Sequence, residues 1–471
     1  MKVKKKISDI LLNIVICILT LSMLTMTVLY AKQKATQNNS DTQTFDNLWI
    51  VNDFEESAFS LFDISYSVPT LIAYKETGKA AGATVFDSGL TSALYSALSD
   101  SIVDIFGQNS VCISENVQYA DAVNELLSAD SYILFEYSCA LPFPYLYALC
   151  SAQSNVDISM CAGGEVADIS RLALILSQGE NGETYYTCYG FDFKNNACRF
   201  EHVDNSPYIL QASDKIYIDA YSESFERIDL VKTGDDEPSV QMLYGSFGYS
   251  LLDETSDISM LRLGDEQSTT AFLKHFEINP EKANRYTDAD GTTVFISTDE
   301  RLAVTSGKII EYTCEKGGIP IKKVLGYTPG KKSSFSLFDM LKATNIFISE
   351  IRLPYPQLMG KSADIKLSAI YKTQAEGDAQ ASKAVFEYSY FYNGVKIDTA
   401  PAFYFEFSAN TIQKIQINIS GFSTSSEKNV LLPKATAYNR ISQELGTFKR
   451  ISPLYSPDDT QLYNIKWAVW Q

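Results

Sequence analysis

The sequence predicts an α+β fold, with a multidomain part of antiparallel sheets and packed helices after an N-terminal transmembrane helix. The chain of 471 residues is 45% hydrophobic and 12% aromatic, a composition typical of globular domains. Apolar and polar residues alternate along many segments, which is the period of a half-buried strand. Shorter segments with helical spacing lie between them, and an uncharged apolar run lies near the start.

The apolar run extends from residue 10 to residue 31 and contains no charged side chain. Its length matches the roughly 20 residues that a helix needs to cross a hydrocarbon core. Lysines dominate the preceding tail, residues 1–9, so the positive-inside rule places that tail in the cytoplasm. A cleaved signal peptide is the alternative, although Leu29-Tyr30-Ala31 is a poor cleavage site. We therefore expect a single-pass protein of the cell membrane, with the bulk of the chain outside.

A polar linker, residues 32–45, separates this helix from a first predicted α+β domain at residues 46–250. Helical spacing predicts helices at 91–106 and 120–127. A hairpin is predicted at 185–203. Further segments of this domain fit a strand (131–139 and 215–225) or either a helix or a strand (167–179).

Two smaller α+β domains are predicted at residues 251–330 and 331–471. Each combines a helix with hairpins, the helices being at 268–276 and 334–348. Dipeptides that favour tight turns separate the strands: Asp290-Gly291, Ser306-Gly307 and Asn393-Gly394. Of these, Asn-Gly is the strongest hairpin signal.

The charge balance limits the partners. The net charge is −18, and a surface that negative repels the phosphate backbone of nucleic acids. We expect no nucleic-acid binding, and a partner that is neutral or carries a basic patch.

No residue pattern predicts a catalytic, cofactor or metal site. The two histidines, His202 and His275, are isolated, and His275 lies near a helix C-terminus, where a cation is favourable. Asp288-x-Asp290-Gly291 resembles part of a calcium loop, but Tyr286 and Ser297 would occupy its first and last ligand positions, so a β-turn is favoured. Catalysis by carboxylates alone stays possible. The aromatic run Phe403–Phe407 fits a sheet core better than a carbohydrate platform.

The eight cysteines predict no disulfide framework. Cys17 lies in the membrane run, which leaves an odd number outside it, and no C-x-x-C occurs. If Asn195-Asn196 formed the turn of the 185–203 hairpin, Phe193 would face Cys198. Cys188 would then lie on the opposite face of that hairpin.

Several segments of the predicted middle and C-terminal domains follow a recognisable order. After a predicted helix, Ile278–Pro280 contains an Asn-Pro turn, and Arg285–Phe295 contains an Arg-Tyr…Asp-Gly…Val-aromatic run. Leu302–Val304 and Gly307–Tyr312 belong to a predicted hairpin that ends in tyrosine, and Phe386–Ile397 is a predicted strand followed by Gly-x-x-Ile. In these segments the chain resembles the YycH/YycI family of membrane-anchored regulators. The chain departs from the family in its many cysteines, and residues 45–250 match only in general layout.

The resemblance implies an accessory regulator of a WalK-type sensor histidine kinase in cell-wall homeostasis, without catalysis or cofactor. Its partners would be that kinase and, as a second candidate, another YycH/YycI-like protein. Polar residues of the membrane helix would then contact neighbouring helices: Asn13, Thr20, Ser22, Thr25 and Thr27. Such residues are also tolerated in a lone anchor. Two other functions stay open, an exported cell-wall hydrolase that uses carboxylates and an extracytoplasmic ligand-binding sensor.

Overall fold

The computed structural model describes residues 68–470 with internal gaps. The gaps are 85–87, 107–110, 143–145, 147–167, 179–182, 193–195, 203–207, 210–217, 219–225, 234–236, 243–247, 256–260, 262, 264–265, 327–334, 336, 360–362, 374–382, 446–449 and 459–461. The predicted transmembrane helix and the linker lie outside the described residues. No helix within the described ranges has the length and apolarity needed to cross a bilayer.

The described residues form the predicted α+β fold of antiparallel sheets with packed helices. The first sheet has the order β10-β9-β2-β1-β4-β5-β6-β7-β3, and β8 pairs with β6. Its strands are β1 (Leu71–Lys75), β2 (Gly82–Ala83), β3 (Val111–Val117), β4 (Tyr132–Pro142), β5 (Asp168–Gln178), β6 (Thr184–Phe191), β7 (Ala197–His202), β8 (Tyr208–Ile209), β9 (Glu226–Thr233) and β10 (Glu237–Met242).

The second sheet has the order β12-β13-β14-β15-β21-β20-β18-β19-β23-β24-β11-β22, with β16 on β21 and β17 on β18. Its strands are β11 (Gly248–Glu254), β12 (Asn284–Thr287), β13 (Thr293–Ile296), β14 (Glu300–Thr305), β15 (Ile309–Cys314), β16 (Ile319–Pro320), β17 (Asp364–Thr373), β18 (Lys383–Tyr392), β19 (Val395–Ile397), β20 (Phe403–Ser408), β21 (Thr411–Asn418), β22 (Phe422–Val430), β23 (Arg450–Pro457) and β24 (Leu462–Trp470). Among the described pairings, β19–β23 alone is parallel. The β15–β21 pairing joins strands from the predicted middle and C-terminal domains in one sheet.

The helices are α1 (Ser88–Phe106), α2 (Tyr119–Ser128), α3 (Glu266–His275), α4 (Ile321–Leu325), α5 (Leu337–Arg352) and α6 (Lys434–Leu445). A short 3-10 helix, Pro356–Met359, follows α5. Helix α5 lies in the core, and all its residues from 339 to 349 are buried. Phe347 of α5 packs edge-on against Phe405 of β20, with 5.6 Å between ring centroids. The second sheet therefore has one face closed by a buried helix.

The predicted tight turns are confirmed. Asn393 and Gly394 have φ of 48° and 80°, so both adopt the left-handed conformation that a type I′ hairpin requires. At Asp290-Gly291 the Asp290 carboxylate accepts the Thr292 N–H at 2.9 Å. The backbone N–H of Gly291 donates to the Asp288 carbonyl at 3.0 Å and closes the β-turn that the sequence favoured over a calcium loop.

Three expectations for residues 46–250 need comment. Residues 168–178, which fitted either a helix or a strand, form β5. The strand predicted at 215–225 lies largely outside the described residues, and Ile218, which is described, is helical. The predicted register of the cysteine hairpin is wrong, because Cys198 faces Gly190 and Cys188 faces Phe200. An odd shift of register has moved Cys188 to the same face as Cys198.

Asp192 explains the shift in that hairpin. Its backbone N–H donates to the Asn196 carbonyl at 3.1 Å, and its side chain accepts the Asn196 N–H at 2.9 Å. The loop therefore closes between residues 192 and 196, not at Asn195-Asn196. Both cysteines are buried free thiols, and burial raises the pKa of each. Raised pKa values keep these thiols protonated and weakly reactive.

Candidate interaction surface

The second sheet presents a broad face on the side opposite α5, here called the outer face. Two neighbouring cross-strand rows define it. One row contains Arg301, Thr313, Lys414, Glu406, Val385 and Tyr371. The other contains Ala303, Glu311, Gln416, Tyr404 and Glu387. Because side chains alternate along a strand, the residues between these positions point to the core.

Charges alternate across the outer face. Lys414 Nζ lies 3.4 Å from Glu311 Oε1, and Arg301 Nη1 lies 4.0 Å from Glu311 Oε2. Lys383 Nζ lies 3.7 Å from Glu406 Oε1. Lys383 belongs to the adjoining row of the same face. With it the face has three cations (Arg301, Lys414 and Lys383) and three carboxylates (Glu311, Glu406 and Glu387). It is thus a neutral surface on a chain whose net charge is −18.

Aromatic and aliphatic side chains complete the outer face. Tyr404 lies beneath Lys414, whose Nζ is 5.7 Å from the ring centroid. Burial, followed by the nearby carboxylates of Glu406 and Glu387, raises the pKa of Tyr404, so its hydroxyl stays protonated. Tyr371 of β17 is 54% exposed, and Ile309 at the start of β15 is 43% exposed. Tyrosine and arginine beside neutralised charges are the residue types enriched in protein interfaces.

A second group of ionisable residues lies where β14 begins and β15 ends. The Tyr312 hydroxyl donates to Glu300 Oε1 at 3.1 Å. Lys323 forms an ion pair with Glu277 at 2.5 Å. Burial raises the pKa of Glu300, and repulsion from the Glu277 carboxylate adds to the rise. In the described parts of the chain, no group of three or more His, Cys, Asp or Glu side chains is placed to hold a metal ion.

The residues singled out from the sequence are not brought together in the described region. Asn13, Thr20, Ser22, Thr25 and Thr27 lie outside the described residues. His275 ends α3 and packs edge-on against Tyr355 at 6.0 Å between ring centroids. Burial lowers the pKa of His275, which favours the neutral ring over the cation expected at a helix C-terminus.

Sequence reasoning did not single out the outer face, although its signal is visible in the run Phe403–Phe407. There the odd-numbered phenylalanines are buried, whereas Tyr404 and Glu406 point outward. The prediction of sheet core was therefore correct for every second residue. Polar residues interleaved with aromatics are the signal that could have identified the exposed half.

The comparisons with known proteins do not identify a family. No family model matches the chain, and neither a curated protein nor a solved structure matches it. The resemblance to the YycH/YycI family therefore stays a prediction.

Proposed function

We propose that this chain is a membrane-anchored accessory regulator of a two-component sensor histidine kinase, and that it acts by protein contacts. The outer face is the observation that carries the proposal. A neutral partner that covered most of this acidic surface would bury unpaired carboxylates, whereas the charges of the outer face balance one another and cost less to cover. Its tyrosines and arginine supply rigid, amphipathic contact groups.

The anchor supplies the second contact in this proposal. A helix at residues 10–31 would hold the chain in the cell membrane, with its N-terminus in the cytoplasm. Asn13, Thr20, Ser22, Thr25 and Thr27 would contact the membrane helices of the kinase, and the outer face would bind its exterior domain or a second YycH/YycI-like protein. Replacing residues 10–31 by an unrelated transmembrane helix should then abolish regulation while the exterior part stays folded.

Copurification of the full chain with a WalK-type kinase from membranes tests the role of the outer face. Tyr371→Ala removes an exposed tyrosine of that face and should weaken association about tenfold or more, as expected for an interface tyrosine. The control is Leu353→Ala, which removes an exposed apolar side chain (71% exposed) just after α5, the helix on the other side of the sheet. Equal effects of the two variants, or no copurification of the unaltered chain, would contradict the proposal.

A carboxylate hydrolase is the second candidate, and Glu300 is the observation that favours it. Glu300 is half-buried and burial raises its pKa, which is one property that a general acid needs. Zymography of the full chain on cell-wall material tests this candidate. Clearing that is lost in Glu300→Gln and kept in Glu311→Gln would support a hydrolase, and the absence of clearing would reject it.

A further inference from the structure

Residues 68–70, here called the lead-in segment, connect the N-terminal part of the chain to β1. Val68 and Pro69 are buried, although they precede the first strand. The backbone N–H of Thr70 donates to the Glu136 carbonyl of β4 at 2.7 Å, and its hydroxyl donates to the same oxygen at 3.1 Å. The first sheet therefore holds this segment through β4.

The second sheet contacts the same segment at Pro69 and Thr70. Lys366 of β17 is 3% exposed, and its Nζ donates to the Pro69 carbonyl at 3.3 Å. Gly394, in the β18–β19 turn, approaches from another side, and a Cβ added there would lie only 2.8 Å from the Thr70 carbonyl oxygen. A buried lysine requires a hydrogen-bond acceptor, so displacing Pro69 removes an acceptor from a desolvated amine.

The two sheets meet at this place, and both are irregular there. Ser138 of β4 donates its hydroxyl to the Leu367 carbonyl of β17 at 2.5 Å. The register of β4 with β5 shifts between Glu136 and Leu141, and that of β17 with β18 shifts between Leu367 and Ala369. Irregular strands leave backbone groups free to pair elsewhere, which allows β4 and β17 to contact one another.

We propose that the lead-in segment is a latch that couples the N-terminal anchor to the outer face through β17. Lys366 and Tyr371 lie on this one strand, so a movement of Pro69 or Thr70 acts on the strand that also forms a margin of the outer face. Tension on the chain that precedes residue 68 would withdraw the segment, loosen β17 and change the binding of a partner. The coupling between the lead-in segment and β17 does not depend on the proposed function, whereas its role in regulation rests on that function.

Hydrogen exchange of the full chain in lipid nanodiscs tests the latch. Gly394→Ala pushes a methyl group against the Thr70 carbonyl, and it should speed amide exchange about tenfold or more both at Thr70 and in β17. Gly291→Ala is the matched control, because Gly291 has a similar φ, +85° against +80°, and no described atom lies within 4 Å of its added Cβ. Both variants place an alanine in the left-handed backbone conformation, which is strained. Only Gly394→Ala also adds a steric clash with the Thr70 carbonyl oxygen.

Lys366→Met is the second variant, since it removes the donor to Pro69 without adding bulk. It too should speed exchange at Thr70 and in β17. Equal exchange in Gly394→Ala and Gly291→Ala, or faster exchange at Thr70 with β17 unchanged, would overturn the latch. If β17 responds while the chain neither binds nor regulates a kinase, the latch stands and the proposed function fails.

Discussion

The same strands form both faces of the second sheet, but the two faces differ in burial, in charge and in the types of side chain they carry. Leu302, Tyr312, Ile415, Phe405 and Phe386 form one cross-strand row on the inner face, and each is 0% exposed. The adjacent row on the outer face consists mainly of charged, tyrosine and amide side chains. The charged residues of this face form ion pairs at the surface. Alternation of side chains along each strand therefore separates stability from recognition, residue by residue.

Polar groups behave differently on the two faces. On the outer face, ion pairs are exposed and each contributes little to stability. On the inner side, the Tyr388 hydroxyl donates to Asn345 Oδ1 at 2.6 Å and contacts the Thr344 hydroxyl within the core. A buried polar group that loses its partner destabilises the fold strongly, whereas an exposed one returns to water.

The largest expected effect comes from two neighbouring residues of β20. Phe405→Ala removes a fully buried ring that packs against Phe347, and it should lower the free energy of unfolding by about 3–5 kcal/mol. Tyr404→Ala removes an outward ring and should lower it by only about 0.2–1 kcal/mol. Denaturant unfolding of both variants measures the difference. Similar losses of stability in the two variants would contradict the division of this sheet into a buried, stabilising inner face and an exposed outer face.

The next effect is a pH dependence from the inner side. Lys342 of α5 is 3% exposed, and burial lowers its pKa to about 7, although Asp339 opposes this shift. Between pH 7 and 9 the unfolded chain keeps this proton and the folded chain loses it, so stability rises with pH. The rise from Lys342 is about 2 kcal/mol over this range. Lys366, whose pKa burial lowers to about 8, adds to it in the same direction.

Unfolding measured at pH 7 and pH 9 tests the contribution of Lys342. Lys342→Met should flatten the dependence and raise the stability at pH 7, because the charge no longer has to be desolvated. Lys316→Met changes an exposed lysine and should leave the dependence unaltered. A pH dependence that persists unchanged in Lys342→Met would show that this amine is not buried as described.

A smaller effect is expected from one buried hydroxyl. Tyr388→Phe keeps the ring and leaves Asn345 Oδ1 without the hydrogen bond from this hydroxyl, so stability should fall by about 1–2 kcal/mol. A double-mutant cycle with Asn345→Leu isolates the pair, and its coupling energy should account for most of that loss. Purely additive losses would contradict the hydrogen bond.

The buried residues of the inner face and the tight turns could be predicted from the sequence, because they depend on neighbouring residues. Alternation placed Phe405 inward, and Asn393-Gly394 specified its hairpin through left-handed backbone angles. The order of strands could not be predicted, since the parallel β19–β23 pairing joins segments distant in sequence and has no local signal. The register of Cys188 and Cys198 was missed because a side chain, Asp192, closes the loop.

The buried lysines were missed for a different reason. Lysine is almost never fully buried unless it is paired, so a sequence pattern places it on the surface. Only the tertiary structure brings Lys366 under the lead-in segment and Lys342 into the core. The candidate surface and the proposed latch both depend on such nonlocal contacts, whereas the fold class depends on patterns within short segments.

The smallest expected effect is the coupling between Lys414 and Glu311 on the outer face. A double-mutant cycle with Lys414→Ala and Glu311→Ala should give about 0.2–1 kcal/mol at low salt, and less at 1 M salt. The pair is exposed, so water solvates either partner when the other is removed. A coupling energy of several kcal/mol that salt does not reduce would mean that this face is desolvated. The outer face would then be part of the core, and the division between stability and recognition on these strands would be wrong.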